Sequence, residues 1–147
     1  KYKIIFPYYF IDEILYKYKE TDFKEKFPEG YKYLRNKREK LVKRDLEKGI
    51  SWFEYGRSQA LKNMCFKKLM ISIMVTGDIK VYEVDENTIP YSGIYIVVKN
   101  ESKTLGYAKE VLKSNDFKRY CLRIGITSSE KSKRITCNDV KNYIIRR

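Results

Sequence analysis

Tyr91-Ser92-Gly93-Ile94-Tyr95-Ile96-Val97-Val98-Lys99 is the strongest strand signal in the chain, a run of β-branched and aromatic residues. Gly93 inside it predicts a bulge or a close backbone approach. Upstream, Phe66 to Thr76 is densely apolar with Ile71, Ile73 and Val75 alternating, which predicts a strand buried on at least one face. Gly77-Asp78 reads as a turn and Lys80 to Val84 as a further strand. Downstream, Thr104 to Lys113 reads as a helix, and Asn115 caps a second one that runs to Ile124 and stops at Gly125. Lys133 to Thr136 is a last short strand, and Asn138 caps a final helix through Tyr143.

The first half carries a different pattern. Residues 2–10 alternate and are rich in Tyr, Ile and Phe, a strand with Pro7 marking an edge or a bulge. Asp12-Glu13 turns the chain into a second strand, Ile14 to Lys19, with a helical turn as the alternative. Thr21 is placed as an N-cap, and Pro28 as the first residue of a helix running to about Lys43. A loop after Gly49 leads to a short helix from Ser58 to Asn63. These elements predict an α+β fold, a mixed or antiparallel sheet with several helices, in one domain spanning residues 1–147.

Lys and Arg number 32 against 19 Asp and Glu, a formal charge of +13. A field of that size favours polyanions, because neutralising phosphates releases condensed counterions. Abundant Lys, Ile, Tyr and Asn also fit drift in an AT-rich genome, but the surplus is uneven. Residues 1–50 carry 14 basic and 9 acidic side chains, residues 51–100 carry 6 and 5, and residues 101–147 carry 12 and 5. Basic flanks around a nearly neutral middle suit a groove for nucleic acid better than a membrane surface, since no helix combines a clean cationic face with a Trp/Leu face. Cys65, Cys121 and Cys137 form no short-spaced pair, which predicts reduced thiols in a cytoplasm. No apolar run approaches the roughly 20 residues of a membrane span, and the start is too short and too aromatic for a signal peptide. Position 1 is Lys, so the chain reads as an excised piece of something longer.

Trp52-Phe53-Glu54-Tyr55-Gly56-Arg57-Ser58-Gln59 holds the only Trp beside a compact Arg-Ser-Gln set. Arg grips phosphate or the guanine O6/N7 edge, and Gln pairs with adenine. The same residues also fit a plain loop, with Trp52 and Phe53 as core anchors and Arg57 paired to a carboxylate or capping a helix. The stretch, preceded by Lys43-Arg44-Asp45, resembles the target-recognition region of adenine-specific DNA methyltransferases from restriction–modification systems. Further segments resemble that region in order. They are Tyr2 to Tyr8, Phe27-Pro28 through Leu34, Tyr91 to Tyr95, Leu112 to Phe117, and Ser132 to Thr136 followed by Asp139-Val140.

The resemblance implies a sequence-specific recognition domain for double-stranded DNA. Its contacts would come from Tyr55, Gly56, Arg57, Ser58 and Gln59 together with Lys133 and Arg134. Its partner would be the catalytic domain of the same polypeptide, which would bring S-adenosylmethionine to a flipped adenine. The chain itself reads as non-catalytic, with no cofactor of its own. It has no His, its cysteines lack zinc spacing, and no glycine-rich phosphate loop occurs. Phe6-Pro7-Tyr8 lacks the Asn and second Pro of the Asn-Pro-Pro-Tyr box that holds a target amine. Asp-x-Lys occurs at Asp22, Asp78, Asp116 and Asp139, as 32 basic residues give by chance. A basic RNA-binding or scaffold module with no methyltransferase parent is the alternative from another class.

Overall fold

The computed structural model describes residues 3–56, 60–90, 92–99 and 103–145. Its helices and short antiparallel strands make an α+β fold. The chain divides into two compact units, Lys1–Cys65 and Phe66–Arg147.

The first unit opens with an antiparallel hairpin, β1 (Tyr8–Ile11) and β2 (Ile14–Lys17), with Tyr8 opposite Lys17 and Ile11 opposite Ile14. Its two-residue turn is Asp12-Glu13, both in the left-handed region at φ 47° and 65°, the geometry that matches the twist of a tight hairpin. The strand expected over residues 2–10 begins only at Tyr8. Before it, the Tyr18 N–H donates to the Pro7 carbonyl at 3.2 Å, and Pro7 sits at strand entry, where its missing N–H costs no ladder bond.

Helix α1 (Glu20–Lys26) starts ahead of Thr21, which bonds to Asp22 instead of capping. Glu20 and Asp22 in its first turn and Lys24 and Lys26 in its last complement the helix dipole. Helix α2 (Pro28–Arg35) has Pro28 at its first position, as read from the sequence. The helix does not continue to Lys43, however. It breaks at Asn36-Lys37 and resumes only as α3 (Arg38–Leu41). Residues 35–40 are all exposed, so no apolar side chain between Leu34 and Leu41 docks that turn, and helices this short depend on docking. Of the expected helix from Ser58 to Asn63, the described residues 60–63 hold a 3-10 turn at Leu61–Asn63, and Ser58 and Gln59 lie outside the described residues. Phe23, Phe53, Tyr8, Leu61 and Met64 form the buried interior of this unit, with Phe23 and Phe53 stacked at 5.5 Å between ring centres.

The second unit holds two three-stranded antiparallel sheets. In one, β3 (Lys68–Ile71) lies between β5 (Val81–Val84) and β6 (Ile94–Ile96); in the other, β8 (Ser132–Arg134) lies between β4 (Met74–Val75) and β7 (Ile126–Ser129). The apolar run from Phe66 to Thr76 therefore serves both sheets rather than one. It switches at Ser72, whose hydroxyl accepts the Met74 N–H at 3.0 Å. Gly93 is at φ 112°, and a Cβ there would lie 2.8 Å from the Ile71 carbonyl oxygen, so the close approach read from the sequence admits only glycine.

Helix α4 (Leu105–Lys113) is capped by Thr104, and α5 (Asn115–Ile124) by Ser114 rather than by Asn115. The last helix, α6 (Cys137–Lys141), is capped by Thr136 in a reciprocal box with Asp139, two residues before the expected Asn138. Leu69, Ile71, Val75, Ile94, Leu112, Phe117, Cys121 and Ile135 make one contiguous core. Removing each large side chain of that kind from water is worth about 1.5–3 kcal/mol. Lys68 is buried beside this core, its ammonium donating to the carbonyls of Asp85 at 2.9 Å and Thr88 at 3.2 Å.

Candidate nucleic-acid interface

The aromatic stretch of the first unit is held from behind by Arg44. Its guanidinium donates to the carbonyls of Trp52 and Glu54, both at 2.9 Å, and its Nε–H to the carbonyl of Leu41 at 3.0 Å. A planar fork of five fixed donors suits three convergent acceptors in a way an ammonium does not. Glu54, only 3% exposed, turns inward, accepting from the Ser51 N–H at 3.1 Å and the Lys17 ammonium at 3.4 Å. The sequence gives Arg44 no role; the nearest signal is its place in Lys43-Arg44-Asp45, just ahead of the stretch.

Trp52 is half-buried, packed edge-on to Tyr31 and Phe53. Its indole N–H donates to Glu20 at 3.1 Å, and the same carboxylate oxygen accepts the Tyr31 hydroxyl at 2.9 Å. That bond to Glu20 is also the main reason the Tyr31 hydroxyl titrates above its usual range. On the ring of Trp52 lies the guanidinium of exposed Arg38, 5.2 Å from the ring centre.

Tyr55 and Gly56, both candidate DNA contacts, are engaged within this unit. The Tyr55 hydroxyl donates to the Ile5 carbonyl at 2.8 Å, and its N–H donates to the Tyr8 hydroxyl at 3.0 Å. Burial raises the Tyr55 hydroxyl above its usual pKa. Gly56 makes the close approach its sequence suggests, but toward this chain: a Cβ would stand 3.2 Å from the Asp45 carbonyl oxygen. Arg57, Ser58 and Gln59, the readers expected of this stretch, lie outside the described residues.

Lys133 and Arg134 stand next to each other on β8 of the second unit. Lys133 crosses to β7 and donates to the Thr127 hydroxyl at 2.7 Å, and Arg134 is exposed. The candidate residues thus fall into one pair on β8 and one loop segment in the other unit. The second unit also has a polar cleft of about 570 Å³ whose walls include Arg119, Arg123 and Asn142. Arg119 pairs with Asp116 there, while Lys118 pairs with Asp78 and holds that carboxyl below its usual range.

No helix among the described residues is long and apolar enough to cross a membrane. The chain matches no protein-family model, no curated protein and no solved structure.

Proposed function

We propose that this chain is a recognition module for double-stranded DNA, the specificity part of an adenine-N6 DNA methyltransferase of the restriction–modification kind. The observation that carries the reading is the cationic surplus, present in both units: 16 basic against 10 acidic residues in 1–65, and 16 against 9 in 66–147. Much of it is exposed, including Lys32, Arg35, Lys37, Arg38 and Lys40 in the first unit and Arg123 and Arg134 in the second. Such surfaces attract a phosphate backbone, and the ordered resemblance of short segments supplies the methyltransferase context. The chemistry of methyl transfer, with S-adenosylmethionine, belongs in this reading to a catalytic domain of the same polypeptide.

Electrophoretic titration of a DNA duplex at several salt concentrations tests the reading. The logarithm of the binding constant is expected to fall linearly with the logarithm of salt concentration, with duplex RNA binding more weakly. Salt-independent binding, or equal preference for RNA, counts against it. Calorimetry with S-adenosylmethionine is expected to show no saturable site, and a saturable one would remove the assignment of the cofactor to another domain.

A further inference from the structure

Five cations on and around α2 and α3 look alike in the sequence, but the structure sets two of them against rings. Lys37 lies 6.0 Å from the centre of the exposed Tyr33 ring, whereas Arg38 lies 5.2 Å from the centre of the half-buried Trp52 ring. The ring is itself fixed, because the indole N–H is bound to Glu20 and the Tyr31 hydroxyl holds the same carboxylate oxygen. A guanidinium against an aromatic face loses part of its hydration and rotamer freedom before any ligand arrives.

Arg44 shows the contrasting use of the same side chain, with its donors committed to three carbonyls of its own unit. Arg38 is exposed and makes no hydrogen bond or ion pair among the described residues, so its fork of donors is uncommitted there. Arg35, three residues earlier, is exposed too, and both cations stand near enough to the Tyr31 hydroxyl to act on it electrostatically. Glu20 offsets one of these two charges. The cluster therefore keeps a net positive charge, and its carboxylate is engaged with Trp52 and Tyr31.

We propose that Arg38, positioned by the Trp52 ring and supported by the charge of Arg35, is a contact for a backbone phosphate of duplex DNA. The inference rests on the DNA reading above but names a site outside the Tyr55–Gln59 stretch. It makes Trp52 a positioning residue rather than a base-stacking one: its indole holds the cation that touches the ligand.

Trp52 is the only tryptophan, so its fluorescence reports this site directly. Titrating the full chain with a DNA duplex is expected to change that fluorescence in parallel with binding. Arg38→Ala should lower affinity several-fold and reduce the salt slope by about 0.9, the loss of one phosphate contact. Arg38→Lys keeps the charge and should restore the slope, while recovering only part of the affinity because an ammonium lacks the fork. Arg38→Gln, whose stem still covers the ring, should reproduce the loss of slope in a chain with unchanged melting temperature. An unaltered salt slope in Arg38→Ala and Arg38→Gln, with duplex binding otherwise intact, overturns the Arg38 site and leaves the DNA reading standing. Absence of duplex binding by the unmodified chain overturns the DNA reading itself.

Discussion

The two units solve the burial problem with different materials. Residues 66–147 enclose a largely aliphatic cluster, Leu69, Ile71, Val75, Ile94, Leu112 and Ile135, with Phe117 and Cys121 completing it. Residues 1–65 bury fewer apolar side chains and rely on rings and polar clamps: Phe23 on Phe53, Tyr8 against Tyr55, and Arg44 on the carbonyls of Trp52 and Glu54. Aliphatic packing is non-directional and tolerates a shift of a few tenths of an ångström. A guanidinium on three carbonyls has one good geometry, so it adds a directional constraint to a loop that ring contacts also hold.

Substituting the centre of each unit tests that contrast, and the second unit should show the larger effect. Phe117 is completely buried, with the Tyr143 ring edge-on at 5.0 Å and Tyr120 beside it. Phe117→Ala is expected to cost about 3–5 kcal/mol through lost burial and the cavity left behind. Amide exchange should show the lost protection within residues 66–147. A cost below about 1 kcal/mol would mean that the cluster is not the main source of stability in that unit.

Arg44→Ala is expected to cost less, about 3 kcal/mol, because the carbonyls of Leu41, Trp52 and Glu54 lose their donor. Arg44→Lys should recover only a fraction, since one ammonium cannot span the three acceptors. Urea unfolding followed by Trp52 fluorescence measures both. If Arg44→Ala is as mild as a surface Arg→Ala change, the polar clamp does not organise the first unit.

Much of the fold was legible because local chemistry and tertiary structure agree. Pro28 starts α2, Asp12-Glu13 turns the hairpin, Thr104 begins α4, and Gly93 marks a backbone approach. The misses occur where two residues offer the same local chemistry. Ser114 takes the cap that Asn115 also suits, and Thr136 wins over Asn138 because Asp139 completes a reciprocal box. Strand β7 is entirely exposed, so Ile126 to Ser129 gives no alternation to read, and its pairing with β8 is fixed by the ladder and by two side-chain bonds, Lys133 to Thr127 and Ser129 with Ser132. The candidate site was less legible. Tyr55 and Gly56 have the residue types of a binding loop, yet their partners are Ile5, Tyr8 and Asp45, which sequence spacing does not reveal. Arg38 and Arg44 belong to a basic run in which a solvated cation and a positioned one are written alike.

The smallest expected effect concerns alkaline pH, where each unit carries one strongly shifted acid. Burial pushes the Cys121 thiol from 9.0 up to about 11, with the Asp139 charge adding to it. Burial likewise pushes the Tyr8 hydroxyl from 10.0 up to about 12, against the opposing pull of the Tyr55 N–H that it accepts. In both, the folded state holds the proton more tightly than the unfolded chain. The associated stability is therefore complete below the unfolded pKa and is lost as pH rises through the folded one, at most about 2.7 kcal/mol for a two-unit shift. The windows differ: pH 9.0 to about 11 for residues 66–147, and 10.0 to about 12 for residues 1–65. Unfolding measured against pH should show the second unit weakening first. Tyr8→Phe should flatten only the later window and Cys121→Ala only the earlier one, each judged against its own stability at neutral pH. A single window common to both units, unmoved by either substitution, would show that general repulsion among ionised tyrosines governs alkaline loss, and that the two interiors do not differ in the way their buried acids imply.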